Sequence, residues 1–326
     1  MNASMNRTKN CKFFLPDPWT FTQNGYPETL NLYLELPRYY SKNYIAPSKR
    51  RLIKGLFKML NFFLSPKLFI SIFKELFNIV ILITKNGLKN ITLFTIFDLL
   101  NTIAFLEYKK ASNPNFSIIF LNSLAHLQHH HWQDEMNSEM KMCLQIIDKI
   151  FGKLIKEKKN NESMIVLNAL SQRNIFKKGV FIYRQKDSIK LLKTINLKFK
   201  KVEEGMTNDG HIFFNSNEEL NISYEILSNA KIKEESLFFI EKDPLIKNRL
   251  FYQLNIQREI LYHETFEINN QSLRFFDYFV LLRERTGEHI VKGNIYSEKI
   301  EFPKKLKNHE INYHILKNFN IDKKYF

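Results

Sequence analysis

A strongly basic stretch with helically spaced apolar residues limits what residues 42–89 can fold into. The stretch holds ten basic residues and a single acid, Glu75, a balance of +9 within the chain's formal charge of +16. Its apolar residues recur every three or four positions in two runs, Leu52, Ile53, Leu56, Phe57 and Leu60, and Leu68, Phe69, Ile72, Phe73, Leu76, Phe77 and Val80. That period is typical of amphipathic helices. Ser65 and Pro66 lie between the runs and favour a helix start, so the sequence predicts two amphipathic helices joined by a Ser-Pro turn.

Three interpretations of this basic block remain open. The helices could form an insertion whose phenylalanine-rich faces pack on the protein while the lysines are solvated. They could instead lie on an anionic membrane surface, with lysines at the headgroups and phenylalanines in the acyl boundary. A basic excess also supports contacts with nucleic-acid backbones, but no zinc-finger, RNA-recognition or helix-turn-helix pattern accompanies it. We therefore do not expect a nucleic-acid partner.

The composition is that of a folded protein from a reducing compartment. Of the 326 residues 44% are hydrophobic and 25% charged, and 9 Gly and 9 Pro are too few for a low-complexity chain. Two cysteines, Cys11 and Cys143, exclude a disulfide framework. The first ten residues lack the apolar core of a secretory signal, and no apolar run reaches the ~18 residues of a membrane span. We expect a cytoplasmic protein, free or peripheral to a membrane.

From residue 115 onward the pattern changes to alternating strands and helices. Residues 116–121 and 164–167 are short apolar runs typical of buried strands, and 134–159 between them has helical periodicity. A strand, a helix and a strand in this order predict a βαβ unit and hence a parallel sheet. Further predicted elements are a helix over 217–230 and strands over 211–214, 236–240, 249–256 and 275–282. The predicted organisation is an N-terminal segment, 1–114, and an α/β domain, 115–326.

The densest group of chemically active side chains follows the first predicted strand. His126, His129, His130 and His131 lie within six positions there. Ligands in open α/β sheets bind at the carboxyl ends of strands, and imidazoles are good ligands for zinc. His126 and His130 are four residues apart and would share a helix face, which His129 also borders. The alternative is that one or two of these histidines cap the loop or bond to Trp132 or the backbone.

Two later turns also carry imidazoles. The turn 205–211 contains Asp209 and His211, although Asn-Asp-Gly is in itself good turn chemistry. The segment 283–293 contains Gly287, His289 and Gly293, a spacing that suits a tight loop presenting an imidazole. A plain hairpin with a solvated histidine is the alternative there.

These motifs follow the order found in a known enzyme class. From 115 onward the chain is similar to the alkaline phosphatase superfamily, particularly its type I phosphodiesterase/nucleotide pyrophosphatase branch. In that family a strand ends in an Asp-x-x-x-His loop, and a late Gly-x-His supplies the last metal ligand. Here Asn122 and His126 resemble the first motif, and Gly287 and His289, followed by Gly293, look like the last.

The resemblance implies an α/β fold with a mostly parallel sheet flanked by helices, and the basic amphipathic helices would be an N-terminal insertion. Residues 14–27 resemble the stretch that follows the nucleophile in these enzymes, while the nucleophile segment itself has no counterpart before Phe13. Asn122 stands where the family has an Asp ligand, and 168–172 stand where it has Asp-His.

A two-metal site needs several carboxylates to offset the charge of the cations, and the matched positions lack them. The resemblance then implies a single divalent metal, zinc or manganese, with the ligands His126, His130, His289 and Asp209. The residues assigned to substrate binding are Asn122, His129 and Lys292.

The first functional hypothesis is a metal-dependent phosphate- or sulfate-ester hydrolase-like protein acting on a cell-surface glycan or lipid. The basic helices would hold it near a membrane and attract an anionic substrate. The alternative is a non-catalytic or truncated member that binds an anionic ligand or a membrane surface. A membrane-surface sugar transferase is a third hypothesis, which lacks a sugar-nucleotide motif.

Overall fold

The computed structural model describes most of the chain, namely residues 7–43, 47–87, 89–133, 136–168, 170–205 and 207–321. The chain divides into two compact units. Unit 1 comprises Met1–Asn174 and Gly287–Phe326, and unit 2 is the segment between them, Ile175–Thr286. The boundary predicted after residue 114 therefore lies within unit 1.

In the described residues, the helices α1 to α7 precede the strand β1, and α8 to α10 and β3 to β12 belong to unit 2. The helices are α1 (Leu30–Asn43), α2 (Lys49–Phe63), α3 (Pro66–Phe73), α4 (Leu76–Asn86), α5 (Asn90–Ser112), α6 (Ser123–His131), α7 (Ser138–Lys156), α8 (Ser188–Thr194), α9 (Asn217–Ser228), α10 (Phe275–Tyr278) and α11 (Ile311–Asn318). The strands are β1 (Ile165–Asn168), β2 (Ser171–Asn174), β3 (Val180–Gln185), β4 (Lys201–Glu204), β5 (Asp209–Phe213), β6 (Lys231–Ile232), β7 (Glu235–Ser236), β8 (Phe238–Lys242), β9 (Arg249–Leu254), β10 (Thr265–Ile268), β11 (Gln271–Arg274), β12 (Phe279–Arg285), β13 (Gly287–Ile290) and β14 (Asn294–Ser297).

The core of unit 1 is centred on α5. Leu99 and Ile103 of this helix belong to one buried cluster with Leu30 and Tyr33 of α1. Because α5 is enclosed on most sides, its polar side chains need partners within the protein. The Tyr33 hydroxyl, for example, donates to Oδ1 of Asn101 at 2.7 Å.

The predicted pair of basic helices is found with one additional break. Helix α2 covers the first apolar run, and Pro66 is the first residue of α3, as the Ser-Pro turn predicts. The second run is divided into α3 and α4 at Glu75, whose backbone N–H bonds to the carbonyl of Ile72 at 2.7 Å in a tighter turn. This turn directs the Glu75 carboxylate inward to an ion pair with Lys153 of α7.

The strands of unit 1 form two short antiparallel pairs. Strand β1 pairs with β14, and β2 pairs with β13. In the second pair His289 lies opposite Gln172, and Gly287 lies opposite Asn174. The strand that carries His289 is thus fixed by a segment more than a hundred residues earlier in the chain.

Unit 2 is built on antiparallel sheets around an aromatic core. One four-stranded sheet has the order β4-β5-β9-β8, another has the order β11-β10-β6-β7, and β12 pairs with β3. Tyr183, Phe266, Phe275 and Phe279 are the largest fully buried side chains of this unit. Their rings meet mostly edge to face, which is the favoured geometry for aromatic clusters.

The mixed α/β class is confirmed, and several predicted elements are found. The helix predicted over 217–230 corresponds to α9, and the strands predicted over 164–167, 211–214 and 249–256 correspond to β1, β5 and β9. The strand predicted over 236–240 is divided between β7 and β8. The helix predicted over 134–159 contains α7, and its first two residues lie outside the described residues.

The predicted mostly parallel sheet is not found, because the strand pairs of the described residues are antiparallel. Residues 116–121 were predicted as its first strand and form none. Ile119 and Leu121 pack on the core of unit 1, whereas Phe116 and Phe120 are half exposed. A run that is apolar on both faces resembles a buried strand, but here only one face is covered. Likewise, 275–278 form the short α10, and the strand begins only at Phe279.

Two parts of the described chain are apolar and long enough to be considered for a membrane span. One is Ile91–Ser112 within α5, whose most apolar window is 61% buried inside the protein. Burial of this kind is expected of a core helix. The other is α2 together with α3, which are bent by 102° at the Ser-Pro turn.

Candidate metal centre

Helix α6, which carries the histidine cluster, is held at its N-terminus by Asp98 of α5. Oδ2 of Asp98 accepts hydrogen bonds from the backbone N–H groups of Asn122 at 2.9 Å and Ser123 at 2.7 Å. These N–H groups have no partner within the helix, and the N-terminal end of a helix attracts negative charge. Asp98 is only 2% exposed. Burial raises its pKa to about 6, against the opposing effect of the hydrogen bonds that it accepts from Ser123 and Asn122.

The sequence contains an indication that Asp98 has a specific role, although Asp98 belongs to none of the motifs described above. Asp98 is the one charged residue of the mostly apolar stretch 91–106. A carboxylate in such a helix is almost never buried without partners. Its partners here are backbone groups at the start of α6, so it acts as a positioning residue for the histidines.

Helix α6 and strand β13 bring two histidines together. Nε2 of His129 lies 3.1 Å from Nε2 of His289. The Nδ1 atom of His129 lies 3.1 Å from the backbone carbonyl of Gly287. The two imidazole planes are nearly perpendicular, at 82°, with ring centroids 4.5 Å apart. These two side chains form the His129–His289 pair.

The hydrogen bond to Gly287 determines where the proton of neutral His129 lies. A carbonyl oxygen only accepts, so Nδ1 of His129 is the donor, and Nε2 then carries a lone pair directed at His289. Such a lone pair either accepts an N–H from His289 or binds a cation jointly with it. Two imidazole nitrogens bound to one tetrahedral zinc lie roughly 3.3 Å apart. The observed separation of 3.1 Å is close to that value.

Two other histidines of α6, His126 and His130, contact each other and further rings. His126 and His130 are neighbours on the helix, with ring centroids 4.9 Å apart, as their spacing predicts. The ring of His126 also lies 3.7 Å from that of Phe94. The ring of His130 lies 5.6 Å from that of His129. Within the residues that the structure describes, no three His, Cys, Asp or Glu side chains are grouped to hold a metal.

The geometry differs from the assignment made by resemblance. His289 meets His129, which was assigned to substrate binding rather than to metal binding. Asn122 contributes its backbone N–H to the cap of α6. Lys292 is exposed, and its carbonyl accepts from the backbone N–H of Ser171 at 2.7 Å.

Asp209, the fourth predicted ligand, belongs to unit 2. It begins β5, pairs with Gln253 of β9, and its carboxylate packs closely on Gly205. Burial, together with the nearby Glu204 and Asp209 carboxylates, raises the pKa of Tyr252 to about 12. Asp209 is therefore part of a polar cluster within unit 2.

Close packing at Gly287 allows α6 to approach β13. A Cβ atom at this position would overlap the carbonyl oxygen of Gln128 on α6 and lie 2.7 Å from Oε1 of Gln172. Backbone atoms cannot move aside as a flexible side chain can. Only glycine therefore permits the approach that places His129 beside His289.

We expect Gly287→Ala to separate α6 from β13. It should lower the free energy of unfolding of unit 1 by about 1–3 kcal/mol, as overpacking does. Urea unfolding followed by tryptophan fluorescence reports this unit, because Trp19 and Trp132 are the two tryptophans of the chain. The matched control is Gly152→Ala in α7, where an added Cβ meets nothing within 4 Å. Unchanged stability of Gly287→Ala would contradict the packing argument.

Comparisons with known proteins do not give a family for this chain. No family model, no curated protein and no solved structure matches it. The resemblance to the alkaline phosphatase superfamily therefore depends on the short motifs at 122–126 and 286–293.

Proposed function

We propose that unit 1 binds a divalent cation between Nε2 of His129 and Nε2 of His289 and, through that cation, a phosphate or sulfate ester. The observation that carries the proposal is the separation of 3.1 Å between the two nitrogens, with Nδ1 of His129 bonded to a backbone carbonyl. Metal-binding histidines commonly donate their second ring N–H to such a carbonyl, which fixes the tautomer and the ring orientation.

Zinc fits this donor set better than manganese. Imidazole nitrogen suits zinc, whereas manganese prefers carboxylate and water oxygens. Two protein ligands leave positions for water or for an oxygen atom of an anion. When bound, the cation would polarise an ester oxygen as a Lewis acid. His129 and His289 would hold it, and the Gly287 carbonyl would keep His129 in the required tautomer.

The charge of the chain also suits an anionic ligand. The formal net charge of +16 favours the approach of anions. Lys292 is exposed two residues beyond the end of β13, so it is available to a ligand at this end of the strand. The order of the motifs at Asn122 and at Gly287, and not the strand pairing, connects this proposal with the alkaline phosphatase superfamily.

Ester hydrolysis is the activity that the resemblance implies, and binding without turnover is a second candidate. Binding without turnover is favoured by the kinds of side chain that lie around the His129–His289 pair. A two-metal hydrolase requires several carboxylates, and the described residues contain no cluster of three or more metal-binding side chains. A single cation on two imidazoles is better suited to holding an anion than to activating a nucleophile and stabilising a leaving group together.

The experiment uses the full chain, stripped by a chelator and reloaded with zinc or manganese. Binding of inorganic phosphate and sulfate is measured by calorimetry, and hydrolysis is followed with 4-nitrophenyl phosphate and 4-nitrophenyl sulfate. We expect zinc-loaded protein to bind one of the anions at least about tenfold more tightly than stripped protein. Zinc-dependent turnover lost in His289→Ala would establish a hydrolase, and zinc-dependent binding without turnover would establish a binder. Equal behaviour of loaded and stripped protein would refute the proposal.

A further inference from the structure

The apolar stripe on α2 to α4 faces solvent instead of packing on the protein. Eleven large apolar side chains between residues 53 and 80 are each more than 40% exposed, namely Ile53, Leu56, Phe57, Leu60, Leu64, Phe69, Ile70, Phe73, Leu76, Phe77 and Val80. The opposite side of α2, with Gly55, Phe62 and Phe63, is the buried one. Folded soluble chains rarely expose apolar side chains at this density, so the stripe indicates an interaction surface. The interpretation that these faces pack on the protein is therefore wrong for most of the stripe.

The exposed residues form continuous rows along the helices. On α2 they fall at positions 53, 56, 57, 60 and 64, which is one face of a helix. On α3 and α4 they fall at 69, 70, 73, 76, 77 and 80, which repeats the same spacing across the break. Phe69, Ile70, Phe73 and Lys74 together line a shallow groove on this surface.

The exposed charged residues of the segment 47–87, which contains these rows, are all basic. The exposed basic residues of 47–87 are Lys49, Arg50, Arg51, Lys54, Lys67, Lys74 and Lys85. The one acid of this segment, Glu75, is buried and paired with Lys153. Two acids on adjoining helices are also engaged, since Glu35 pairs with Lys58 and Glu107 accepts from the hydroxyl of Ser71 at 2.9 Å.

We propose that α2 to α4 form a docking surface for an anionic lipid bilayer. Helices lying in the interface bury their apolar face at the boundary of headgroups and acyl chains while their basic residues contact anionic headgroups. A second copy of this chain fits the surface less well, because the two basic surfaces would repel each other. This docking surface is independent of the His129–His289 pair, and neither proposal requires the other.

The test is flotation of the full chain with vesicles of phosphatidylcholine, with and without phosphatidylserine. We expect association that depends on phosphatidylserine and weakens as salt is added.

The variant Phe57→Ser/Phe73→Ser/Phe77→Ser should reduce the bound fraction at least about tenfold, since it removes three apolar anchors. These side chains are 67%, 64% and 74% exposed, so the substitutions leave the core intact. Arg50→Glu/Lys54→Glu should weaken binding to the same vesicles. Raising the salt concentration should restore little of the lost binding.

The matched control is Leu245→Ser/Tyr262→Ser/Val291→Ser. These residues are 91%, 82% and 93% exposed but lie away from α2 to α4 in the sequence. The control should bind like the wild-type protein. Absence of vesicle binding by the wild type, equal binding to neutral vesicles, or binding that the phenylalanine variant retains would each overturn the proposal. Dimer formation through these phenylalanines without vesicle binding, measured by analytical ultracentrifugation, would also overturn it and assign the surface to a second copy.

Discussion

His129→Ala and His289→Ala will each weaken zinc binding at least about 100-fold. Removing a residue that only orients a metal ligand typically costs 10–100-fold in affinity, and each of these substitutions removes a proposed ligand itself. Because each variant leaves one imidazole, the two losses should be similar, and the double variant should lose little more. The measurement is zinc titration by calorimetry against a competing chelator, with metal content after dialysis as a second readout.

The control for both variants is His263→Ala. His263 is exposed and lies in unit 2, so the same substitution there should leave zinc binding unchanged. Tryptophan fluorescence of unit 1 verifies that the variants remain folded. If His129→Ala and His289→Ala bind zinc as the wild type does, the pair is a hydrogen-bonded contact between two imidazoles and not a metal centre.

Asp98→Asn should change how the stability of unit 1 depends on pH. The pKa of Asp98 is raised to about 6 in the folded protein, from 3.8. Between these values the folded state holds a proton that the unfolded state has lost, so wild-type stability falls as pH rises through this window. The loss is complete above pH 6 and amounts to roughly 3 kcal/mol. Asparagine offers an acceptor oxygen to the same N–H groups of α6 but does not ionise in this range.

The measurement is urea unfolding by tryptophan fluorescence at a series of pH values. The free energy of unfolding of wild type minus that of Asp98→Asn should decrease as pH rises from about 4 to above 6 and be level outside that window. Because both proteins contain the same other titrating groups, subtracting their free energies of unfolding removes the contributions of those groups. The control, Asp148→Asn, makes the same substitution at an exposed carboxylate of α7. A level difference for Asp98→Asn would show that this carboxyl is not desolvated in the folded state.

Local features of the fold were predictable from the sequence because they depend on neighbouring residues. Ser216 caps α9 by accepting from the backbone N–H of Glu219 at 3.1 Å, directly before the predicted helix start at 217. Side chains of this type at a helix start are strong signals. The shared face of His126 and His130 on α6 likewise follows from their spacing alone.

The partner of His129 could not be predicted in this way. Its contact with His289 joins positions 160 residues apart and depends on the pairing of β2 with β13 and on the absence of a side chain at Gly287. Periodicity within a short window contains no information about such an approach. The histidine cluster and the Gly-x-His were each recognised, but which members meet is decided by tertiary packing.

The prediction of a parallel sheet was wrong for a related reason. An apolar run such as 116–121 satisfies the pattern of a buried strand, yet the pattern does not specify a partner strand or a second covering layer. The apolar stripe of α2 shows the same limit. Its helical spacing was read correctly, but spacing does not tell whether Phe57 faces a protein core or a membrane.

Anomalous diffraction at the zinc absorption edge tests the central claim most directly. Crystals of the full chain grown with zinc should show one strong anomalous peak about 2.0–2.1 Å from both Nε2 of His129 and Nε2 of His289. The same crystals of His289→Ala should lack it. A zinc-containing crystal with no peak at this position, or with the two imidazoles hydrogen-bonded to each other, would contradict the proposed metal centre.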